Sequence, residues 1–461
     1  MGRLNSDKPY PWRSEGESRF RHFCESFNHN MREIQMWTSR RKFLAMPVAA
    51  AFLSLPMNIA SANEVGKIRV TAASSDLNAM WVELAKEFER THPGIKVELD
   101  NSNRSYDDLV QATLRDALTN SLPDVSFQGA NRLRTYTDRN LAAPLGQFLD
   151  NDTSDGRKAL SPAVAEIGAF KGDTYALGFG VAVPTVFYNL DLIAKAGGDP
   201  RNPPSTWDDI LNLGKKITGL GDGNVGIVFQ YDSADFFWDA LLFSQGVGMM
   251  NADETKVTFD GPEGLKALEI IKAIGESGQA AVDMSKDQAR AAFAAGKVGI
   301  IFDSNSNLPR FEEASAGHFH MEIGGFPLLS PEGKLPAAGS IAMMFATDPS
   351  QQKLAWEFLK FAAGPIGQKI VATKSGWLPA NEYALRDSKE LQDHFARNPH
   401  YKPTLDQVAA LKGWYAFPGE NALKVTQTIV DGMRAVITLK ASPEDALADM
   451  SAKARKLLSV N

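Results

Sequence analysis

Lys67-Ile68-Arg69-Val70-Thr71 opens the stretch that decides the fold, because its alternation of apolar and charged residues soon gives way to a helical period. Met80, Trp81, Leu84, Ala85 and Phe88 fall on one helical face, and Pro93-Gly94 breaks the helix. A second strand, Ile95 to Leu99, leads to a helix from about Ser105 to Asn120, and Asp124 to Phe127 makes a third strand. This is the βαβαβ rhythm of an open sheet with crossover helices, whose ligands sit beyond the carboxyl ends of the strands.

The rhythm restarts further on. Thr185 to Asn189 reads as a strand, Thr206 can cap a helix from Trp207 to Thr218, and Gly226 to Phe229 is strand again. Helices follow at Pro262 to Ser277 and Ser285 to Ala295, then a strand at Val298 to Phe302. The fold class is therefore α/β, with two such units. No Gly/Ser- or Pro-rich linker separates them, so short ordered crossings are expected, the arrangement of a cleft that opens and closes.

Upstream of Lys67 lies an export address. Arg40, Arg41 and Lys42 precede an apolar run of about fifteen residues from Phe43 to Met57, and Ala60-Ser61-Ala62 makes a small-residue exit. The run contains Pro47 and Pro56 and is shorter than the roughly 18 residues a spanning helix needs, so it reads as a cleaved signal. Ser39-Arg40-Arg41-Lys42-Phe43-Leu44 also resembles the twin-arginine pattern, which the reading favours over the general secretory route. Residues 1–35 have no helical or strand period and read as a misplaced start or a disordered leader, with Met31 or Met36 a start of ordinary spacing. The signal is assigned to residues 36–62.

Cys24 is the single cysteine, and it falls before the cut. A cysteine-free mature chain has no disulfide, thiolate metal site or catalytic cysteine, and no lipid-modified cysteine at the cleavage point. The first 62 residues hold nine of the 49 basic and five of the 55 acidic residues, so the mature chain carries a net charge of about −10. That balance argues against nucleic-acid and anionic-membrane surfaces. No fixed-period repeat points to a solenoid or propeller.

An exported enzyme is the competing class. The sequence has no His-Glu-x-x-His and no Gly-x-Ser-x-Gly elbow. Gly221-Asp222-Gly223-Asn224-Val225-Gly226 matches Gly-x-Gly-x-x-Gly, but the order around it is helix, loop, strand, the reverse of a dinucleotide site, so a turn is expected. His318 and His320 would share one strand face without a third ligand nearby, too few for a metal. Asp232 and Asp235 are a conceivable glycosidase pair, though acceptors for sugar hydroxyls fit them better. No cofactor and no metal are expected.

Five segments in order carry a resemblance. They are Tyr106-Asp107-Asp108-Leu109 with Leu122-Pro123-Asp124-Val125; Pro184 to Leu192; Asn202-Pro203-Pro204-Ser205-Thr206-Trp207-Asp208-Asp209; Ala292-Phe293 through Gly299; and Ala355 to Phe361 with Gly376-Trp377-Leu378-Pro379. Together they resemble the extracellular solute-binding proteins of ATP-driven (ABC) sugar importers, the group of the maltodextrin-binding and glycerol-3-phosphate-binding proteins. The resemblance implies a two-lobed periplasmic binding protein fold of discontinuous α/β lobes, here 63–181 plus 322–365 and 182–321 plus 366–461. It implies a monomer that captures a small-molecule carbohydrate and delivers it to permease subunits in the inner membrane, with no nucleic acid involved.

Candidate ligand contacts follow the strand ends. In the first lobe these are Ser74, Ser75 and Asp76, which equally suit simple helix capping, with Gln128 and Asn131 after the third strand and Tyr106 from the first motif. In the second they are Tyr231, Asp232 and Phe236, and the polar run Asp303, Ser304 and Asn305. Gly339 and Ser340 match a small-residue backbone contact of the family, and Trp377, or Trp414 with Tyr415, offers a further aromatic wall. Glycerol-phosphate binders of the family carry an arginine near the final helix, and Phe417-Pro418-Gly419-Glu420-Asn421 has none. A neutral sugar or polyol is thus the first choice and a small anionic glycerol or sugar derivative the second, although Arg104, Arg132 or Arg134 could lie near the cleft. Mass spectrometry of the exported protein should find a chain beginning just after Ala62, and a mature form that retains Cys24 would contradict the export reading.

Overall fold

The computed structural model describes residues 66–73, 75–151, 162–232 and 234–460. The leader 1–35, the signal 36–62 and Ser74 lie outside these residues. The alternation at Lys67 becomes β1 (Gly66–Ala72), with Ile68, Val70 and Ala72 buried and Lys67 and Arg69 exposed. The helix Asn78–Thr91 buries Met80, Trp81, Leu84, Ala85 and Phe88, the face the helical period marked. Trp81 packs its ring 4.9 Å from Phe127 and 5.2 Å from Phe179, which seats the helix on the sheet.

The other strands in chain order are β2 (Ile95–Asp100), β3 (Val125–Gly129), the hairpin β4 (Ala169–Phe170) and β5 (Asp173–Thr174), β6 (Ala176–Ala182), β7 (Pro184–Asn189), β8 (Val225–Phe229), β9 (Val298–Ser304), β10 (Met321–Gly325), β11 (Leu335–Met344), β12 (Leu378–Pro379) and β13 (Leu411–Gly413). One sheet runs β12-β6-β11-β3-β1-β2 with β13 beside β11; a second runs β10-β7-β9-β8. β1, β2 and β3 are mutually parallel, as are β8 and β9. Each sheet with its helices makes one lobe.

Caps fix where the helices begin. Ser105, Thr206 and Ser285 each accept a backbone N–H of the first turn, and Gln288 closes a capping box with Ser285. Gly221 and Gly223 sit at φ +74° and +73° in the loop before β8, so the glycine-rich match is a turn. His318 to His320 lie in the turn before β10, not on a strand face, and His320 pairs with Asp191 at 2.9 Å.

One residue, Val183, separates β6 of the first sheet from β7 of the second. The lobe boundaries read from sequence differ from the strand pairing. The break at 322 falls inside β10, which pairs with β7 and belongs with the second sheet. The stretch 366–461 contains β12 and β13, which pair with β6 and β11 of the first sheet. Later segments thus return to the first lobe, a consequence of long-range pairing.

Candidate functional site

The parallel strands of both sheets end at a shared cavity of about 240 Å³. Beyond β1 stands Asp76, beyond β2 stand Arg104 and Tyr106, and beyond β3 stand Asn131 and Arg132. The second lobe supplies Asp232 and Phe236 beyond β8 and Ser304 and Asn307 at the end of β9, while Gly339, Trp377 and Trp414 complete the wall. The Tyr106 ring is half-buried and leans closely on Gly129, whose missing Cβ leaves it room. Trp377 lies against Gly180 for the same reason. Gly339, at φ +105°, brings backbone to the cavity where a Cβ would strike the carbonyl of Gly180.

Charge in the cavity is largely paired. Arg132, buried, meets Asp107 at 2.7 Å and donates to Thr426 at 3.3 Å. Arg290 forms a two-pronged pair with Asp303, at 2.8 and 3.0 Å, and approaches Asp76 of the other lobe at 3.8 Å. Arg104 crosses between lobes to Asp287 at 3.2 Å. Lys286 and Arg310 also line the cavity, and among the described residues neither has an ion-pair partner within 4 Å.

Nine of the residues expected from sequence line this cavity: Asp76, Tyr106, Asn131, Asp232, Phe236, Ser304, Gly339, Trp377 and Trp414. Five others are engaged by hydrogen bonds of their own. Gln128 is fully buried and donates to Ser126 and Thr113. Ser340, also buried, donates to the Gln128 carbonyl. Tyr231 is turned to Asp283, to which its hydroxyl donates at 3.0 Å. Asp303 is consumed by Arg290, the Ser304 N–H and Asn307. Asn305 accepts the Val183 N–H through its side chain at 2.9 Å, which places it at the crossing between the sheets. Ser75 opens a short 3-10 helix after β1.

Lys286, Arg290 and Arg310 were missed. The available signal was a charged residue on a helix's inward face: Ala289, Arg290 and Phe293 are all buried on Lys286–Ala294, and Lys286 stands one turn before Arg290.

Asp235 ties the lobes together behind the cavity. Its carboxylate accepts Asn131 and the Trp414 indole at 3.0 Å each and Thr426 at 3.2 Å. One helical turn on, Asp239 is fully buried and, among the described residues, its side chain accepts only the Tyr415 N–H, at 3.4 Å. Desolvation, reinforced by the charge of Asp235, pushes the Asp239 carboxyl well above its ordinary value.

A family model for bacterial extracellular solute-binding proteins matches residues 83–403. The chain belongs to this family. A binding protein of Brucella abortus (strain 2308) is 26% identical over 413 residues, 87% of this chain and 95% of the relative. Two solved structures share the two-lobed fold of this solute-binding protein, each with a TM-score of 0.75 and covering 86% of the chain. UgpB of Mycobacterium tuberculosis, in complex with glycerophosphocholine, is 17% identical and matched over 98% of its length. An ABC substrate-binding protein of Listeria monocytogenes, in complex with cycloalternan, is 18% identical and matched over all of its length.

The raised Asp239 value carries a pH signature. A carboxyl raised in the folded state contributes stability that is fully present below its ordinary pKa near 4 and lost as pH rises through the folded value, by about 1.4 kcal/mol per unit at most. Asp239→Asn removes that slope. Its melting temperature should match the parent's near pH 4 and exceed it increasingly toward neutral and alkaline pH; parallel curves would show that Asp239 is not titrating as described.

Proposed function

We propose that this solute-binding protein captures a neutral carbohydrate, a saccharide or polyol, between its lobes and presents it to an importer permease without converting it. The observation that carries the reading is the cavity's chemistry: the buried cations Arg132 and Arg290 already have carboxylate partners, so the site offers donors and acceptors side by side and little net charge. Sugar hydroxyls use both, and Tyr106, Trp377 and Trp414 offer ring surface to sugar C–H faces. Capture without catalysis agrees with Asp235, a carboxylate a glycosidase would need free but which three donors occupy here. A monomeric periplasmic protein, exported by the signal at 36–62 through the twin-arginine route and closing by hinge motion, completes the proposal.

A second reading has a specific observation in its favour. Lys286 and Arg310, cations without an ion-pair partner, stand where a phosphate could be met, and the mycobacterial neighbour holds a glycerophosphodiester. A thermal-shift screen of saccharides, polyols and glycerol phosphates separates the two. A neutral ligand at 100 times its Kd should add about 2.7 kcal/mol to stability, with the shift retained in Arg310→Gln. A shift produced only by phosphate-bearing compounds, and abolished by Arg310→Gln, would replace the first reading with the second.

A further inference from the structure

Glu254 lies on the connection from β8 to β9 in the second lobe, at φ +54°, a backbone region that glycine and asparagine enter more readily than a residue with a longer side chain. The turn around it is held from within: the Asn251 side chain accepts the N–H groups of Thr255 and Lys256, each at 2.9 Å. The turn therefore does not require a glutamate at 254. What the glutamate adds is a carboxylate with two partners outside its own lobe, since it pairs with Arg134 of the first lobe and accepts the Tyr415 hydroxyl at 3.0 Å. Tyr415 follows β13, which pairs with β11 of the first sheet. The three residues line a cavity of about 390 Å³, and buried Trp414 stands between it and the solute cavity.

We infer that Glu254 is a positioning residue for solute capture, a latch that holds the second lobe to Arg134 and Tyr415 and raises the population of the closed form without touching the solute. The inference rests on the two-lobe capture proposed above and not on the solute's identity. Both halves of the latch are ordered inside their own lobes. Arg134 lies over the Phe170 ring at 5.4 Å and stands 3.8 Å from Asp138, one helical turn on, while Glu254 is carried on the Asn251 turn. Closing then costs little side-chain freedom. The pair is also shielded: the Arg134 and Glu254 side chains are 16% and 33% exposed, against 80% and 59% for Arg104 and Asp287, so solvent screens it less. A solute that binds only the closed form is held more weakly in proportion to the share of that form that is lost, which is how a residue outside the cavity sets affinity.

The test is pulsed electron paramagnetic resonance on the mature protein without solute. The chain from residue 63 onward has no cysteine, so Gln111→Cys and Ala291→Cys take spin labels at chosen sites. Both residues are exposed, on the helices Tyr106–Leu118 and Lys286–Ala294 that flank the Arg104–Asp287 contact between the lobes. The parent should show a short, closed-form distance beside a long one, and Glu254→Gln should lower the ratio of short to long at least about fivefold. Arg134→Gln should do the same, and the double variant should lose no more than either single change, because each breaks the same pair. Glu254→Gly, which suits the backbone at that place, should match Glu254→Gln, so that the loss is not that of a damaged turn; melting curves confirm that the variants fold. An equal ratio in the parent and in Glu254→Gln, or losses that add in the double variant, overturns the latch, and capture stands if maltose, sorbitol or glycerol 3-phosphate still shifts the population to the short distance. A single distance that no variant and none of these compounds moves overturns lobe closure and the latch with it.

Discussion

The two hydrogen bonds between Asn305 and Val183 set the geometry on which the rest of the molecule depends. The Val183 N–H donates to the Asn305 side chain at 2.9 Å and the Asn305 N–H donates to the Val183 carbonyl at 3.1 Å. Val183 is the single residue between β6 of the first sheet and β7 of the second, and Asn305 directly follows β9 of the second. With Pro184 paired to Ser304 beside them, these bonds fix how the chain leaves one sheet and enters the other. Gly376 completes the lock, since a Cβ there would meet the Asn305 carbonyl. Because the crossing is pinned, the carboxyl ends of β1, β2 and β3 face the same cavity as those of β8 and β9.

Direct polar contacts between the lobes close the cavity further out. Asn131 reaches Asp235, Arg132 reaches Thr426, Arg104 reaches Asp287 and Arg290 approaches Asp76. The exposed Arg104–Asp287 pair contributes little, since solvent screens such pairs to about 0–1 kcal/mol. The buried contacts at Asp235 matter more, because opening the lobes must leave that carboxylate to water or to fewer donors. A ligand shifts the balance only by the difference in its affinity for the closed and open forms. Side chains from both lobes around one cavity provide that difference.

Local signals carried the fold well. The strand at Lys67, the inward face from Met80 to Phe88 and the caps at Thr206 and Ser285 depend on residues a few positions apart, and the sequence displays them directly. The lobe boundaries depend on β10, β12 and β13 pairing with strands far away in the chain, which no local period encodes. The site was legible to the level of strand ends and no finer. Asp303, Ser304 and Asn305 are consecutive, and neighbours in extended chain point to opposite sides, so Ser304 faces the cavity while the flanking pair serve Arg290 and Val183. Lys286, Arg290 and Arg310 reach the cavity from helices whose approach is set by tertiary packing.

Small-angle X-ray scattering of the mature protein, with and without a saturating ligand found by the screen, tests the central claim that two lobes close on a captured solute. The account predicts a smaller radius of gyration with ligand, and a bound-state curve that matches the structure described. An unchanged radius at saturation, accompanied by chemical turnover of the ligand, would contradict it.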